Sequence, residues 1–221
     1  MTDAGRPPTT LRQQLEGAPA PEWMRLPPAG HGQRIGLFGG SFNPPHSGHA
    51  HVSRIALRRL RLDAVWWLVT PGNPLKNHDE LAPLQARVQA CKEIAGDPRV
   101  HVTAWEALLG TAYTAQTIAA LTQRRPDLRF TWIMGADNLA GFHRWQNWRD
   151  IVERLPVAIV DRPDSTLAVL GSRLAHAYAA QRVPERDASA LAAMRAPAWT
   201  FLHGPRDPIS STELRRRSAT T

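Results

Sequence analysis

Cysteine is almost absent: Cys91 stands alone among 221 residues, so neither an intrachain disulfide nor a cysteine-built zinc cage can form. Long apolar runs are missing as well. "AVWWLV" is among the longest, far short of the roughly 18 residues a membrane helix needs. The opening stretch "MTDAGRPPTTLRQQ" lacks the apolar core of a secretory signal. Two common phosphate fingerprints, G-x-x-x-x-G-K-[ST] and G-x-G-x-x-G, do not occur. The chain has no internal repeat or low-complexity tract, and no nucleophile–base pair stands out in it. These absences exclude a disulfide-stapled scaffold and a P-loop nucleotide site. They lead to the expectation of a cytoplasmic protein with no membrane partner.

Hydrophobic residues make up 43% of the chain and charged residues 21%, the balance of a globular protein rather than a disordered one. The length suits one well-buried domain with tails. Lys and Arg number 27 against 19 Asp and Glu, a formal charge of +8. That surplus suits anionic partners: nucleic acid, acidic membrane or phosphorylated small molecules. Composition does not separate them, although the interleaved aromatic and basic pattern of a nucleic-acid surface is missing.

Residues 1–33, rich in Pro, Gly and Ala, are expected to form a flexible N-terminal extension, with the domain spanning 34–221. Six continuous apolar runs read as strands buried on both faces: 34–39, 64–70, 100–104, 130–135, 156–161 and 199–203. Between them lie helical stripes, Val52–Ile55–Ala56–Leu60, Leu84–Val88–Cys91 and Ala115–Ile118–Ala119–Leu121. The Ala- and Arg-rich segment 165–196 reads as helical cover over one face. Alternating β and α elements imply an α/β fold with a parallel sheet wrapped by helices, whose ligands bind at the carboxyl ends of the strands.

The stretch "RIGLFGGSFNPPHSGHAHVSRIALRRL" runs from the first strand into a basic helix. Gly39 and Gly40 permit a sharp bend and close approach to a ligand. Ser41 offers a hydroxyl, and the free N–H groups of the helix start make an anion site. His46 and His49 are three apart and so share a helix face, with Gly48 between them leaving access open. Three readings stand here: a phosphate site, a tight turn with unrelated histidines, and a metal site of His46, His49 and His51. The metal reading lacks a nearby carboxylate or cysteine. At the other end, "PISSTELRRR" carries Ser210 and Glu213 at capping-box spacing. A helix starting there could grip an anion with Ser211, Thr212 and Arg215, or could be an ordinary capped basic helix.

With these motifs in their order, the chain resembles bacterial nicotinate-nucleotide adenylyltransferase, a nucleotidyltransferase family with an H-x-G-H signature. G-G-[ST]-F-[DN]-P-x-H-x-G-H follows the first strand and I-S-S-T-x-[IL]-R lies near the end. Between them, "TPGNPLKN", "TAYTAQTI" and "IMGADNLAGFHRWQNWRDI" match further family segments, so the likeness covers about residues 34–217. Relatives often carry Thr and Asp where this chain has Ser41 and Asn43, and some carry an aromatic where it has Gln146. The resemblance implies a single-domain, doubly wound, Rossmann-like parallel sheet of about five to six strands flanked by helices. It also implies transfer of the adenylyl group of ATP to nicotinate mononucleotide, with Mg²⁺ held mainly by ATP phosphates.

By motif position, His46, His49, Lys76 and Arg215 are the expected catalytic set. Gly39, Gly40, Ser41, Phe42, His46, His49, Asp137, Ser211, Thr212 and Arg215 are expected at ATP. Tyr113, Thr114 and Trp145 are expected at the mononucleotide, with Trp145 stacking on the ring and the head of the helix at Thr114 receiving the ring carboxylate. Trp66, Trp67 and Trp132 fall in strands and read as core, and Trp148 as a brace. Asp137 could instead cap a helix. No protein metal ligand and no nucleic-acid partner are expected, and the oligomeric state is not given. The rivals are another adenylyltransferase, with nicotinamide mononucleotide or phosphopantetheine as acceptor, and a basic nucleic-acid-binding protein. The Trp145 block and the I-S-S-T motif speak against phosphopantetheine.

Overall fold

Trp66 and Trp67 are neighbours in the chain and both fully buried, yet they belong to opposite layers of the core. Successive side chains of a strand point to opposite faces, so a run that is apolar throughout needs cover on both sides. A computed structural model, which describes residues 19–72, 81–162 and 171–204, shows that cover. The strands are β1 Arg34–Gly40, β2 Ala64–Val69, β3 Val100–Thr103, β4 Arg129–Gly135, β5 Val157–Val160 and β6 Trp199–Leu202. Each matches its expected run to within one residue at either end. They form one parallel sheet in the order β3-β2-β1-β4-β5-β6.

The helices are α1 Ser47–Arg59, α2 Leu84–Ala95, α3 Glu106–Leu109, α4 Thr114–Arg124, α5 Ala136–Phe142, α6 Trp148–Arg154 and α7 Arg173–Ala177. One face of the sheet carries Leu37, Trp66 and Trp132, which pack with Ile118 and Leu121 of α4 and with Trp148 and Ile151 of α6. The other carries Phe38, Trp67 and Ile133, which pack with Val52 and Ala56 of α1 and with Val88 and Cys91 of α2. The chain leaves β1 toward β2 and β3, then returns to build β4, β5 and β6 on the other side. The order therefore reverses between β1 and β4, and their carboxyl ends form the crevice where such sheets bind ligands.

Two segments differ from their sequence reading. The run expected as helical cover over 165–196 is broken, where it is described, into α7 and two 3-10 stretches, Ala179–Gln181 and Glu185–Ala193. Pro184 caps the longer of these at its start, and a proline cannot sit within a continuing helix. The pieces also serve both faces: Leu174 and Tyr178 join one cluster, Ala188 and Leu191 the other. Within the expected extension, a 3-10 turn at Glu22–Met24 packs on the sheet edge, with Met24 buried. The Ala104 N–H donates to the Trp23 carbonyl (2.9 Å) and the Thr103 hydroxyl to the Arg25 carbonyl (2.7 Å).

Gly39 shows how tightly the first strand is fitted. A Cβ there would stand 2.6 Å from Cη2 of the buried Trp132 ring. The missing side chain thus makes room for a core indole as well as bending the backbone. Gly39→Ala is expected to lower stability by about 1–3 kcal/mol through overpacking. Urea unfolding checks this, and an unchanged midpoint would show that the ring moves aside freely.

Candidate active site

The switch-point crevice is built first by α1. His46 is its N-cap, in extended conformation, and its Nδ1 accepts the Gly48 N–H at 3.2 Å. The imidazole of His49 reaches back, and its Nδ1 accepts the His46 N–H at 3.2 Å. Two orphan donors of the helix start are thereby satisfied by two histidines that cap each other. The rings lie 3.9 Å apart between centroids. Because each Nδ1 is an acceptor, each ring in its neutral form carries its proton on Nε2. Sequence spacing pointed to a shared face, and the capping geometry adds the tautomer.

The turn ahead of α1 is held from below. Phe42 adopts a positive φ of 47°, which disfavours a side-chain-bearing residue. Its buried ring stacks on Trp67, with centroids 5.0 Å apart and planes 12° from parallel, and this packing opposes the strain. The Phe42 side chain is therefore core, so any ligand contact from this residue comes through its backbone. Gly40 has the Phe42 ring where its own side chain would be: a Cβ would stand 3.2 Å from Cε2. Ser41 is half-buried at the same turn.

Arg162, Arg87 and Glu106 are buried ionisable residues along this edge that the sequence reading did not single out. Arg162 follows β5, is 8% exposed, and approaches Asp137 at 3.8 Å. A Cβ on Gly48 would stand 2.5 Å from the Arg162 Nη1 and 2.9 Å from the His46 ring. Gly48 thus admits a guanidinium to the head of α1. Asp137 lies in the first turn of α5, whose N-cap is Gly135, so it is not a helix cap; it pairs with that guanidinium. The signal available in the sequence was position, since Arg162 comes directly after an apolar strand, at the ligand-binding edge.

Arg87 lies on the apolar stripe of α2, between Leu84 and Cys91, and is 3% exposed. Its guanidinium donates to the carbonyls of Ser41 (2.7 Å), Thr70 (2.8 Å), Ala82 (2.8 Å) and Pro71 (3.4 Å). One side chain therefore fastens the turn after β1, the turn after β2 and the entrance to α2. Burial pulls its pKa down to about 10, so it is still a cation at neutral pH. Burial pushes the neighbouring Cys91 thiol up to about 12, which leaves it unreactive.

Glu106, in α3, is 5% exposed. Its carboxyl meets hydroxyls: Thr117 of α4 donates to it at 2.8 Å, and Thr70 at the end of β2 also bonds to it. Burial, opposed by these two hydroxyls, raises its pKa to about 7. An acid inside the apolar run "AWEALL" was the sequence signal. Beside it, Tyr113 caps α4, its N–H donating to the Thr111 hydroxyl at 3.1 Å. Tyr113 and Thr114 are both half-buried.

Trp145 is half-buried after α5, edge-on to Phe142 (5.3 Å) and to Trp132 (6.2 Å). Trp132 lies under Gly39, so this aromatic stack runs from the first strand out to Trp145. Trp66, Trp67 and Trp132 are core, and Trp148 packs on Phe142 and Tyr178 inside the same cluster. The described part of the site thus joins Gly40, the histidine pair, Asp137, the head of α4 and Trp145 along one sheet edge. Thr70 sits at its centre: its N–H donates to the Gly40 carbonyl at 3.0 Å, and both Arg87 and Glu106 bond to it. Lys76, Ser211, Thr212 and Arg215 lie outside the described residues.

The cytidylyltransferase-like family matches residues 37–217 of the chain. A protein of Agrobacterium fabrum named probable nicotinate-nucleotide adenylyltransferase is 58% identical over 181 residues, covering 82% of this chain and 97% of its own length. One of the same name from Rhizobium meliloti is 60% identical over 181 residues, covering 82% and 96%. Among solved structures, Plasmodium falciparum nicotinic acid mononucleotide adenylyltransferase complexed with NaAD superposes with a TM-score of 0.63 at 16% identity. That match covers 83% of each chain and is a likeness of fold.

Two outcomes check the buried charges. Arg87→Met is expected to lose roughly 2–4 kcal/mol in urea unfolding, because several buried carbonyls lose a charged donor. Arg87→Lys should recover only part of that loss, since an ammonium cannot span three turns; a Met variant as stable as the parent would contradict the clamp. For Glu106 the folded pKa lies above the unfolded one. Its contribution is therefore full below about pH 4.5, declines as pH rises, and levels off above about 7. Glu106→Gln should accordingly gain on the order of 3 kcal/mol relative to the parent between pH 4.5 and pH 8. A pH-independent difference between the two proteins would contradict it.

Proposed function

The chain belongs to the cytidylyltransferase-like family and, within it, to the nicotinate-nucleotide adenylyltransferases, and from that premise we propose that it transfers the adenylyl group of ATP to nicotinate mononucleotide, releasing pyrophosphate. An oxygen of the mononucleotide phosphate attacks the α-phosphorus in line. One P–O bond forms as the bond to the β-phosphate breaks, giving nicotinate adenine dinucleotide. The attacking phosphate is already anionic near neutral pH, so no general base is needed. Positioning and charge stabilisation do the rest.

The observation that carries the histidine roles is the mutual capping at the head of α1. With both Nδ1 atoms accepting backbone protons, His46 and His49 have Nε2–H groups to donate to phosphate oxygens as charge grows at the α-phosphate. Gly39, Gly40, Ser41 and Phe42 line the nucleotide through backbone and hydroxyl, and Asp137 takes a position on the ribose or adenine side. Ser211, Thr212 and Arg215 hold the leaving β- and γ-phosphates, and Lys76 adds positive charge beside them. Trp145 stacks on the nicotinate ring, while Tyr113, Thr114 and the head of α4 receive its carboxylate.

Mg²⁺ fits this site as a passenger of ATP. Among the described residues no group of three His, Cys, Asp or Glu is placed to hold an ion, and the donors at the corner are a hydroxyl and two imidazoles. The ion would ride on triphosphate oxygens and water, where it would offset their charge. The basic surplus suits polyanionic substrates without a nucleic-acid partner. No described helix is long and apolar enough to cross a membrane. The need for ATP as co-substrate supports a cytoplasmic place of work.

A pyrophosphate-release assay with ATP and nicotinate mononucleotide, nicotinamide mononucleotide or phosphopantetheine tests the assignment. Turnover is expected with the nicotinate form first; adenylation of phosphopantetheine alone would overturn it. His49→Ala is expected to fold and to lose on the order of 10²–10³ in kcat, the effect of removing one transition-state donor. Trp145→Ala is expected to raise KM for the mononucleotide and leave that for ATP nearly unchanged. An unaltered mononucleotide KM would remove the indole from the pocket.

A further inference from the structure

The peptide joining Ser41 to Phe42 is caught between two anchors. On one side Arg87 Nη1 donates to the Ser41 carbonyl at 2.7 Å and to the Thr70 carbonyl at 2.8 Å. Arg87 belongs to α2, which packs over β2 and β3, so the Ser41 carbonyl faces the β2 side of the sheet edge. On the other side the Phe42 ring is stacked on Trp67. A further bond, from the Ala82 N–H to Asn43 Oδ1 at 3.3 Å, ties the same turn to the entrance of α2.

The Ser41–Phe42 peptide is trans, and in a trans peptide the N–H points opposite to the carbonyl. With the carbonyl drawn toward α2, the Phe42 N–H is turned toward the β4 side, where the switch-point crevice opens. It takes no partner among the described residues, although Phe42 is buried. A main-chain donor left unpaired in a buried residue is rare, and this one faces the place where a ligand would come.

Resting on the ATP reading above, we infer that Arg87 is a positioning residue for adenylyl transfer: it draws the Ser41 carbonyl inward and so presents the Phe42 N–H to a phosphate oxygen of the nucleotide. The guanidinium touches no substrate and works through the peptide it holds. Without it that peptide can rotate, and a rotated peptide offers the phosphate a carbonyl oxygen, which repels it. Phe42 also sits at a φ of 47°, a conformation that a residue with a side chain keeps only while its surroundings hold it there. Stability and positioning are separable here, because the first sets how many molecules are folded and the second how fast each one works.

The test reads the Phe42 amide directly. The chain has five phenylalanines, so ¹⁵N-Phe labelling gives five backbone amide signals, and Phe42→Tyr identifies the one at the turn. The probe is Mg²⁺ with an ATP analogue carrying a methylene between its α- and β-phosphorus atoms. In the parent the Phe42 signal is expected to move downfield on binding, as an amide proton does on entering a charge-assisted hydrogen bond. In Arg87→Met the signals of Phe130, Phe142 and Phe201 should hold their positions, while that of Phe42 no longer follows the analogue.

The rates supply the second readout, taken well below the unfolding midpoint of each variant. In Arg87→Met, kcat/KM for ATP is expected to fall roughly 10- to 100-fold, a part of the effect of losing one transition-state donor. KM for the mononucleotide should stay at the parent value and KM for ATP should rise. A mere loss of folded molecules would lower the apparent kcat and leave both KM values in place. Arg87→Lys keeps the charge without the planar fork and should show the same pattern at smaller size, so it carries the test if the Met variant does not fold. A Phe42 signal that ignores the bound analogue in the parent, or a parent-like kcat/KM for ATP in the folded variant, would overturn the inference and leave the functional assignment standing. An analogue that fails to bind the parent at all would overturn the assignment and this inference with it.

Discussion

Two histidines capping one helix are the constraint on which the candidate site depends. A helix start leaves backbone N–H groups without partners, and most proteins fill this place with a serine, threonine or aspartate. Here two histidines do so through Nδ1, His46 accepting the Gly48 N–H and His49 accepting the His46 N–H. The cap fixes ring orientation and, in the neutral rings, the tautomer. On the proposed reading, a phosphate approaching the helix start meets a prearranged pair of donors rather than two mobile side chains. Gly48 is part of the same device, because its missing Cβ leaves space for both the His46 ring and Arg162.

Around that pair the charges are sorted by burial. Arg87 and Arg162 carry positive charge into the protein on the α1 side of the sheet edge, Arg87 against carbonyls and Arg162 against Asp137. On the α4 side the buried acid Glu106 meets only hydroxyls and is raised toward neutrality. At the α1 end one carboxylate, Asp137, is paired with the Arg162 guanidinium. Thr70 joins the two sides, bonded to Gly40, Arg87 and Glu106.

The sheet was legible in the sequence because its strands are buried on both faces. After Arg34, "IGLFG" is apolar at every position, as is "AVWWLV", and that pattern survives any uncertainty about register. The histidine pair was legible from spacing and from its place after the first strand. Arg87 and Glu106 were not, because a single ionisable residue inside an apolar stripe has no periodicity of its own. Their partners are backbone carbonyls and hydroxyls from distant loops, which only the folded chain brings together. The segment 165–196 misled for a different reason: its alanines and arginines favour helix, while Pro184 and its contacts with both faces divide it, where it is described, into short turns. Gly39 and Gly40 drew attention as a ligand-approach motif, and the fold adds that core rings occupy the space their side chains would need.

The most direct test of this account is the protonation pattern of the two capping rings, read by long-range ¹H–¹⁵N correlation on histidine-labelled protein at a pH where the rings are neutral. His46 and His49 are predicted to carry the proton on Nε2, with both Nδ1 atoms showing the shift of an unprotonated, hydrogen-bond-accepting nitrogen. Nδ1–H tautomers, or the rapidly averaged signals of free imidazoles, would contradict the prearranged donor pair.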